Sequence, residues 1–161
     1  MIYNIVNISD YRRFIDAQIA ASWAGPYIVS KGILHDTRLQ DGFAALDNGA
    51  VVGYILYNME DGDCEITVLE SLHQGQGIGR ALINTVIALA KEAKCRRVWL
   101  ITTNDNTSAI RFYQKIGFDL CAVHINALEE SRKLKPQIPL LGEDGIPIKH
   151  EFEFHVTLFS H

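Results

Sequence analysis

The most constraining stretch of this chain is residues 74–80, QGQGIGR. Three glycines, Gly75, Gly77 and Gly79, fall on alternate positions between a strand pattern and a helix pattern. Upstream, DGDCEITVLESL reads as a turn and a strand. It places Glu65, Thr67 and Leu69 on one face and Cys64, Ile66 and Val68 on the other. Downstream, Ile78, Leu82, Ile83, Val86, Ile87, Leu89, Ala90 and Ala93 form a wide apolar helical stripe. A helix that starts just after glycines leaves backbone N–H groups free. The macrodipole adds positive charge there, and an anion can approach with no Cβ in its way. The plainer alternative is a tight turn with no ligand. Two common phosphate loops fit poorly. The dinucleotide fingerprint needs G-x-G-x-x-G and an acidic residue about 20 positions on, whereas the next strand here ends in Thr102, Thr103 and Asn104. The P-loop needs a Gly-Lys pair, which this chain lacks.

The rest of the chain supplies further elements. IYNIVNI (2–8) reads as a strand, and Ser9 or Asp10 can cap a helix over YRRFIDAQIAASW. GFAALDNGAVVGYILYN reads as a hairpin turning at Asp47-Asn48-Gly49. RVWLITT (97–103) looks like a strand covered on both faces. Asn106 can cap a helix over TSAIRFYQKI that Gly117 ends. FDLCAVHI is a further strand, NALEESRKL a helix, and EFEFHVTLF a final strand with Phe152, Phe154, Val156 and Leu158 on one side. About seven strands and four or five helices result. Early strands adjoin in hairpins and later ones alternate with helices, so the expected class is α+β (mixed α/β) with a central sheet. With no repeat, low-complexity tract or linker, one domain over 1–161 is expected.

Composition narrows the function. A net charge of −4 disfavours nucleic acid, which needs a basic face. No run of about 18 apolar residues predicts a membrane span, and the N-terminus has no secretory pattern. Cys64, Cys95 and Cys121 are too scattered for a disulfide framework or a metal pair, so a reducing cytoplasm is the expected setting. His150 and His155, five apart, point to opposite strand faces, and no metal site is expected.

Q-G-Q-G-I-G resembles the Q/R-x-x-G-x-G/A signature of the GNAT superfamily of acetyl-CoA-dependent N-acetyltransferases. NTSAIRFYQKIGF resembles the downstream motif of that superfamily, through Asn106, Ala109, Tyr113, Gly117 and Phe118. The two motifs come in the family's order, and the resemblance is close over about residues 64–120. It implies a central, mostly antiparallel sheet with a splayed parallel strand pair, here 64–70 and 97–103.

It also implies a site. Coenzyme A pyrophosphate would rest on Gln74, Gly75, Gln76, Gly77, Ile78, Gly79 and Arg80, with the pantetheine arm between the splayed strands. A backbone amide of Val68 or Leu69 would polarise the acetyl carbonyl. Tyr113 matches the tyrosine that protonates the departing thiolate. With an ordinary pKa of about 10 it carries its proton at neutral pH. The alternative is a packing tyrosine. Asn106 contacts the cofactor, caps the helix, or does both. Glu65 resembles the glutamate that some members use as a base. However, its spacing to Gln74 is shorter than usual, and LESLH replaces the family's V-x-P-x-Y/F. Glu70 with a water chain is an alternative base, and a solvated strand carboxylate is the plain reading of Glu65. Cys64 could carry an acetyl group, but its place with Ile66 and Val68 makes it a packing residue.

The expected partners are acetyl-CoA and an amine-bearing small molecule or protein, with a homodimer left open. The acceptor wall would come from the Trp23–Tyr27 turn, the 57–63 hairpin end and the insertion KLKPQIPLLGEDGIPIKHE. That insertion serves as a lid or wall, or as a small hairpin covering a sheet edge.

Overall fold

A computed structural model of the chain describes residues 3–159; Ile2 of the first expected strand lies outside that range. Among the described residues nine strands, four α-helices and three short 3-10 turns follow one another. In chain order these are β1 (Asn4–Asn7), α1 (Arg12–Ser22), β2 (Tyr27–Ser30), β3 (Ile33–Asp36), β4 (Asp41–Asp47), β5 (Ala50–Glu60) and β6 (Asp63–Ser71). There follow α2 (Ile78–Glu92), β7 (Arg97–Thr103), α3 (Thr107–Lys115), β8 (Asp119–His124), α4 (Ala127–Leu134) and β9 (Glu151–Thr157). Seven strands form one sheet in the order β1-β4-β5-β6-β7-β9-β8, and β2 and β3 form a separate hairpin. Among the described strands only β6 and β7 pair in parallel; α2 crosses over between them, as a parallel pair requires. The mixed α/β class and the GNAT-like sheet are both present.

Two apolar cores lie on opposite faces of the sheet. One joins Cys64, Ile66, Val98, Leu100 and Phe154 to Ile78, Leu82, Ile83, Val86 and Ala90 of α2. Each of these α2 residues is at most 1% exposed, so truncating Ile78, Leu82 or Ile83 to alanine would cost about 2–5 kcal/mol. Ala93 leaves the expected stripe, because it is the exposed C-cap. The other core seats Ile15 and Ile19 of α1 against Ala44, Tyr54, Leu56 and Val68. Gly53 lets α2 reach β5, since a Cβ there would lie 2.5 Å from Ile78 Cγ2 and 2.9 Å from the Glu70 carbonyl oxygen.

The expected alternation in β6 fails at one place. Leu56 faces Val68 and Tyr57 faces Ile66, so Thr67 is an extra residue, a β-bulge. The bulge inverts the alternation beyond it. Val68 packs on the α1 side with Tyr54 and Leu56, and Leu69 packs on the α2 side with Cys64 and Ile66.

Two other expectations change. Neither Ser9 nor Asp10 caps α1: its N-cap is Tyr11, which makes no side-chain cap bond, and Asn7 caps the turn before it, Oδ1 accepting the Ser9 N–H at 2.9 Å. The β-structure ends at Asn7, so one 3-10 turn over Ile8–Tyr11 intervenes and buries Ile8 before α1 begins. The hairpin over Tyr27–Asp36 was not expected. It turns through Lys31 (φ 49°) and Gly32 (φ 75°), the two left-handed positions of a tight two-residue hairpin. Among the described residues no helix is long and apolar enough to cross a membrane.

Candidate active site

β6 and β7 pair only through Cys64–Val98, Glu65–Trp99 and Ile66–Leu100, then separate at the bulge. A cavity of about 600 Å³ opens where they part. Its walls come from β6 (Glu65–Leu69), β7 (Leu100–Thr103), the end of α1 (Ala21–Ala24) and β2 (Ile28–Ser30). Asn106, Ala109 and Tyr113 border it from the α3 side. Lys135, Gln137, Ile138, Pro139, Ile148 and Glu151 show that the 133–151 insertion supplies a wall. Arg132 holds that wall by donating to the carbonyls of Pro139 (2.8 Å) and Ile148 (2.7 Å). The Asn104 side chain ties it further to Pro147, Lys149 and His150.

Of the residues singled out from sequence, Glu65, Val68, Leu69, Asn106 and Tyr113 share this cavity. Gln74, Gly75, Gln76, Gly77, Ile78, Gly79 and Arg80 do not line it; they follow the C-terminal end of β6 and open α2. Gly77 caps α2 in the left-handed region (φ 74°), and no side chain caps the helix. The first-turn amides are thus left for a ligand or water. Gln74 to Gly77 are exposed, and the Tyr3 hydroxyl pins the turn by donating to the Gln76 carbonyl at 2.8 Å. Asn106 does cap α3, accepting the Ala109 N–H at 3.3 Å.

Tyr113 is 9% exposed, with Phe112, Phe118 and Phe154 around its ring at centroid distances of 5.3, 5.8 and 6.2 Å. Burial raises its phenol above the ordinary range, so it keeps its proton at neutral pH.

Glu65 is a buried carboxylate, 5% exposed. Burial lifts it to about 7, against a lowering hydrogen bond from Ser30 and the nearby charge of Lys31; Glu151 and Glu153 push it further up. The Ser30 hydroxyl donates to its Oε2 at 2.6 Å. His35 Nε2 lies 3.8 Å from Oε1, but burial lowers the His35 pKa, so that contact is not an ion pair at neutral pH. Glu70 lies outside the cavity lining and accepts hydrogen bonds from the Tyr54 hydroxyl and from Ser22 (3.1 Å). Cys64 is wholly buried, and burial, with Cys95 and Glu65 nearby, pushes its thiol up to about 12. It is a packing residue.

Sequence reasoning missed the polar face beneath the β2–β3 hairpin. Glu151 and Glu153 are 2% and 5% exposed. Lys31 donates its backbone N–H to Glu151 Oε1 (3.2 Å), places Nζ 3.2 Å from Glu153 Oε1, and stacks over Trp99. Burial raises Glu151. Burial would also raise Glu153, but hydrogen bonds from His124, Arg97 and Lys31 outweigh it and hold that carboxyl near about 2. Lys135 Nζ donates to the carbonyls of Trp23 and Tyr27, the latter at 2.6 Å, and so ties the insertion to the α1–β2 connection. The available signal was the Ile28-Val29 run followed by Lys31-Gly32, a β-branched pair before a turn. Among the described residues no three metal-ligating side chains converge.

Comparison with known proteins agrees with this geometry. Residues 9–118 match the family model described as the acetyltransferase (GNAT) family. The Bacillus subtilis protein YdhI is 47% identical over 137 residues, covering 84% of this chain and 85% of its own. A GNAT family acetyltransferase from Elizabethkingia anophelis with acetyl-CoA bound superposes with a TM-score of 0.65 at 25% identity, over 74% of this chain and 76% of its own. A Bacillus subtilis acetyltransferase in complex with CoA superposes with a TM-score of 0.71 at 16% identity, over 98% and 100%; at that identity it speaks for the fold. The splayed β6–β7 pair, the glycine turn and the family match together make this chain an acyltransferase of the GNAT acetyltransferase family.

Proposed function

We propose that the chain transfers the acetyl group of acetyl-CoA to a primary amine by direct attack in a ternary complex. The observation that carries the reading is the parting of β6 and β7 after three paired positions, with Glu65 and Tyr113 on the walls of the resulting cavity. In this reading the CoA pyrophosphate rests on the amides of Gln74–Arg80, and the pantetheine arm enters between the strands. Past Ile66 the β6 strand has no pairing with β7, which leaves an amide of Val68 or Leu69 to donate to the acetyl oxygen.

Glu65 is the base. A carboxylate that titrates near 7 is mostly ionised at slightly alkaline pH, yet basic enough to accept a proton from an ammonium. The freed amine adds to the carbonyl, the C–S bond breaks and the thiolate takes the Tyr113 proton, while the nitrogen loses its second proton through solvent, which restores the Tyr113 phenol. Glu65 then releases its proton to solvent, the one proton the overall reaction sets free. The buried, high-pKa Cys64 disfavours a covalent acetyl-cysteine route. The free thiols of Cys64, Cys95 and Cys121 suit a reducing cytoplasm.

The test is incubation with acetyl-CoA and a panel of amines, with released thiol and acetylated amine measured together. Equal yields of the two support the reading. CoA binding by calorimetry with no acetylated product from any amine would favour a non-catalytic acyl-CoA sensor instead.

A further inference from the structure

The cavity holds three charged side chains, Glu65, Lys135 and Glu151. Lys135 directs its ammonium at the carbonyls of Trp23 and Tyr27. The remaining two are carboxylates, and neither is matched by a cation. Glu65 has the Ser30 hydroxyl and a neutral His35. Glu151 accepts one backbone N–H, from Lys31, and among the described residues its second oxygen has no partner. The nearby cations go elsewhere: Lys31 Nζ and Arg97 converge on Glu153, at 3.2 and 2.9 Å, and the His124 ring joins them at 2.9 Å. Glu151 is therefore a carboxyl group 2% exposed, on the wall of a cavity, with the charge of Lys31 nearby but, among the described residues, no cation in salt-bridge contact. Burying an unpaired carboxylate is costly, so the site favours a ligand that brings positive charge. Glu65 and Glu151 bind adjacent hairpin residues, Ser30 and Lys31, so they bracket one short stretch of the cavity. Around them Trp23, Ile28, Leu128, Ile138, Pro139 and Ile148 line the cavity with apolar surface suited to methylenes.

We propose that the acceptor is a short aliphatic diamine or polyamine, its reacting amine at Glu65 and its second ammonium held by Glu151. This rests on the acetyl-transfer reading above and adds the substrate class. Glu151 acts as a specificity residue that binds the unreacting end. It takes no proton in the reaction, so its loss should raise the KM of the diamine relative to that of a monoamine, and any change in kcat through the base Glu65 should be shared by both amines.

The test compares 1,4-diaminobutane with n-butylamine as acceptors for the wild-type protein and for Glu151→Gln. Wild type should show a KM at least about tenfold lower for the diamine, the effect of one added charge-assisted contact. Glu151→Gln should erase that preference, bringing the KM ratio of the two amines to within about twofold of one, whatever change in kcat the two amines share. Calorimetry of wild type with CoA and each amine gives the same comparison without any variant, so a poorly folding Glu151→Gln does not decide the matter. Equal affinity for the two amines, or a diamine preference that survives in a folded Glu151→Gln, overturns this inference while leaving acetyl transfer standing. Acetylation of neither amine nor any other overturns both.

Discussion

Replacing Glu65 with glutamine should make the protein more stable and less active. Glu65 titrates at about 7 in the fold against an ordinary 4.5. Holding it ionised inside the protein therefore costs up to about 3 kcal/mol, at roughly 1.4 kcal/mol per tenfold change in equilibrium. The folded state binds this proton more tightly than the unfolded chain does. The group's stabilising contribution is thus full below 4.5 and is lost as pH rises through about 7. Glutamine keeps the shape and an acceptor for the Ser30 hydroxyl, but never ionises. At pH 8.5 Glu65→Gln should exceed wild type in urea unfolding free energy by about 1–3 kcal/mol. At pH 4.5 and below the difference should close.

Over the same pH range wild-type kcat/KM should fall on an acidic limb near 7, and Glu65→Gln should lose about 10²–10⁴ in kcat with no such limb. A variant no more stable than wild type at pH 8.5 would refute the burial argument. A variant of wild-type rate would refute the assignment of Glu65 as base.

Further outcomes follow from other parts of the site. Tyr113→Phe should lower kcat about 10- to 100-fold while CoA affinity by calorimetry changes less than about threefold, since the phenol gives a proton and does not seat the cofactor. Gly77→Ala meets no atom within 4 Å but forces a side chain into φ 74°; it should cost about 1 kcal/mol of stability and weaken CoA binding, read by thermal melts and calorimetry. Cys64→Ala should retain turnover, and intact-protein mass spectrometry after acetyl-CoA treatment should show no acetyl-enzyme. Lys135→Met should loosen the α1–β2 connection from the insertion, detected as faster amide hydrogen exchange over residues 23–28.

The strand–turn–helix–strand unit was legible because each part carries its own local signal. The apolar stripe of α2 has a 3.6-residue period, the glycines mark the turn, and Asn106 and Gly117 bracket α3. Tyr113 was singled out through the motif, and the structure puts it on the cavity wall. The bulge at Thr67 has no such mark. It arises from how β5 and β6 fit across the sheet, and a strict two-residue period carried past it assigns Val68 to the wrong face. Glu151 shows a different gap. Alternation in EFEFHVT separates Glu151 and Glu153 from Phe152 and Phe154, but it does not say what covers the carboxylate side. The cover is the β2–β3 hairpin, about 120 residues away in sequence, whose contact is one backbone N–H and one lysine. Acidic residues beside an apolar strand look solvated until a distant element closes over them.

The most direct test of the account is a crystal structure with acetyl-CoA bound. The account predicts pyrophosphate on the amides of Gly75–Arg80, the acetyl oxygen within hydrogen-bond reach of the Val68 or Leu69 N–H, and sulfur facing the Tyr113 hydroxyl. Acetyl-CoA bound with its thioester outside the β6–β7 opening, or with Tyr113 and Glu65 remote from it, would contradict the account.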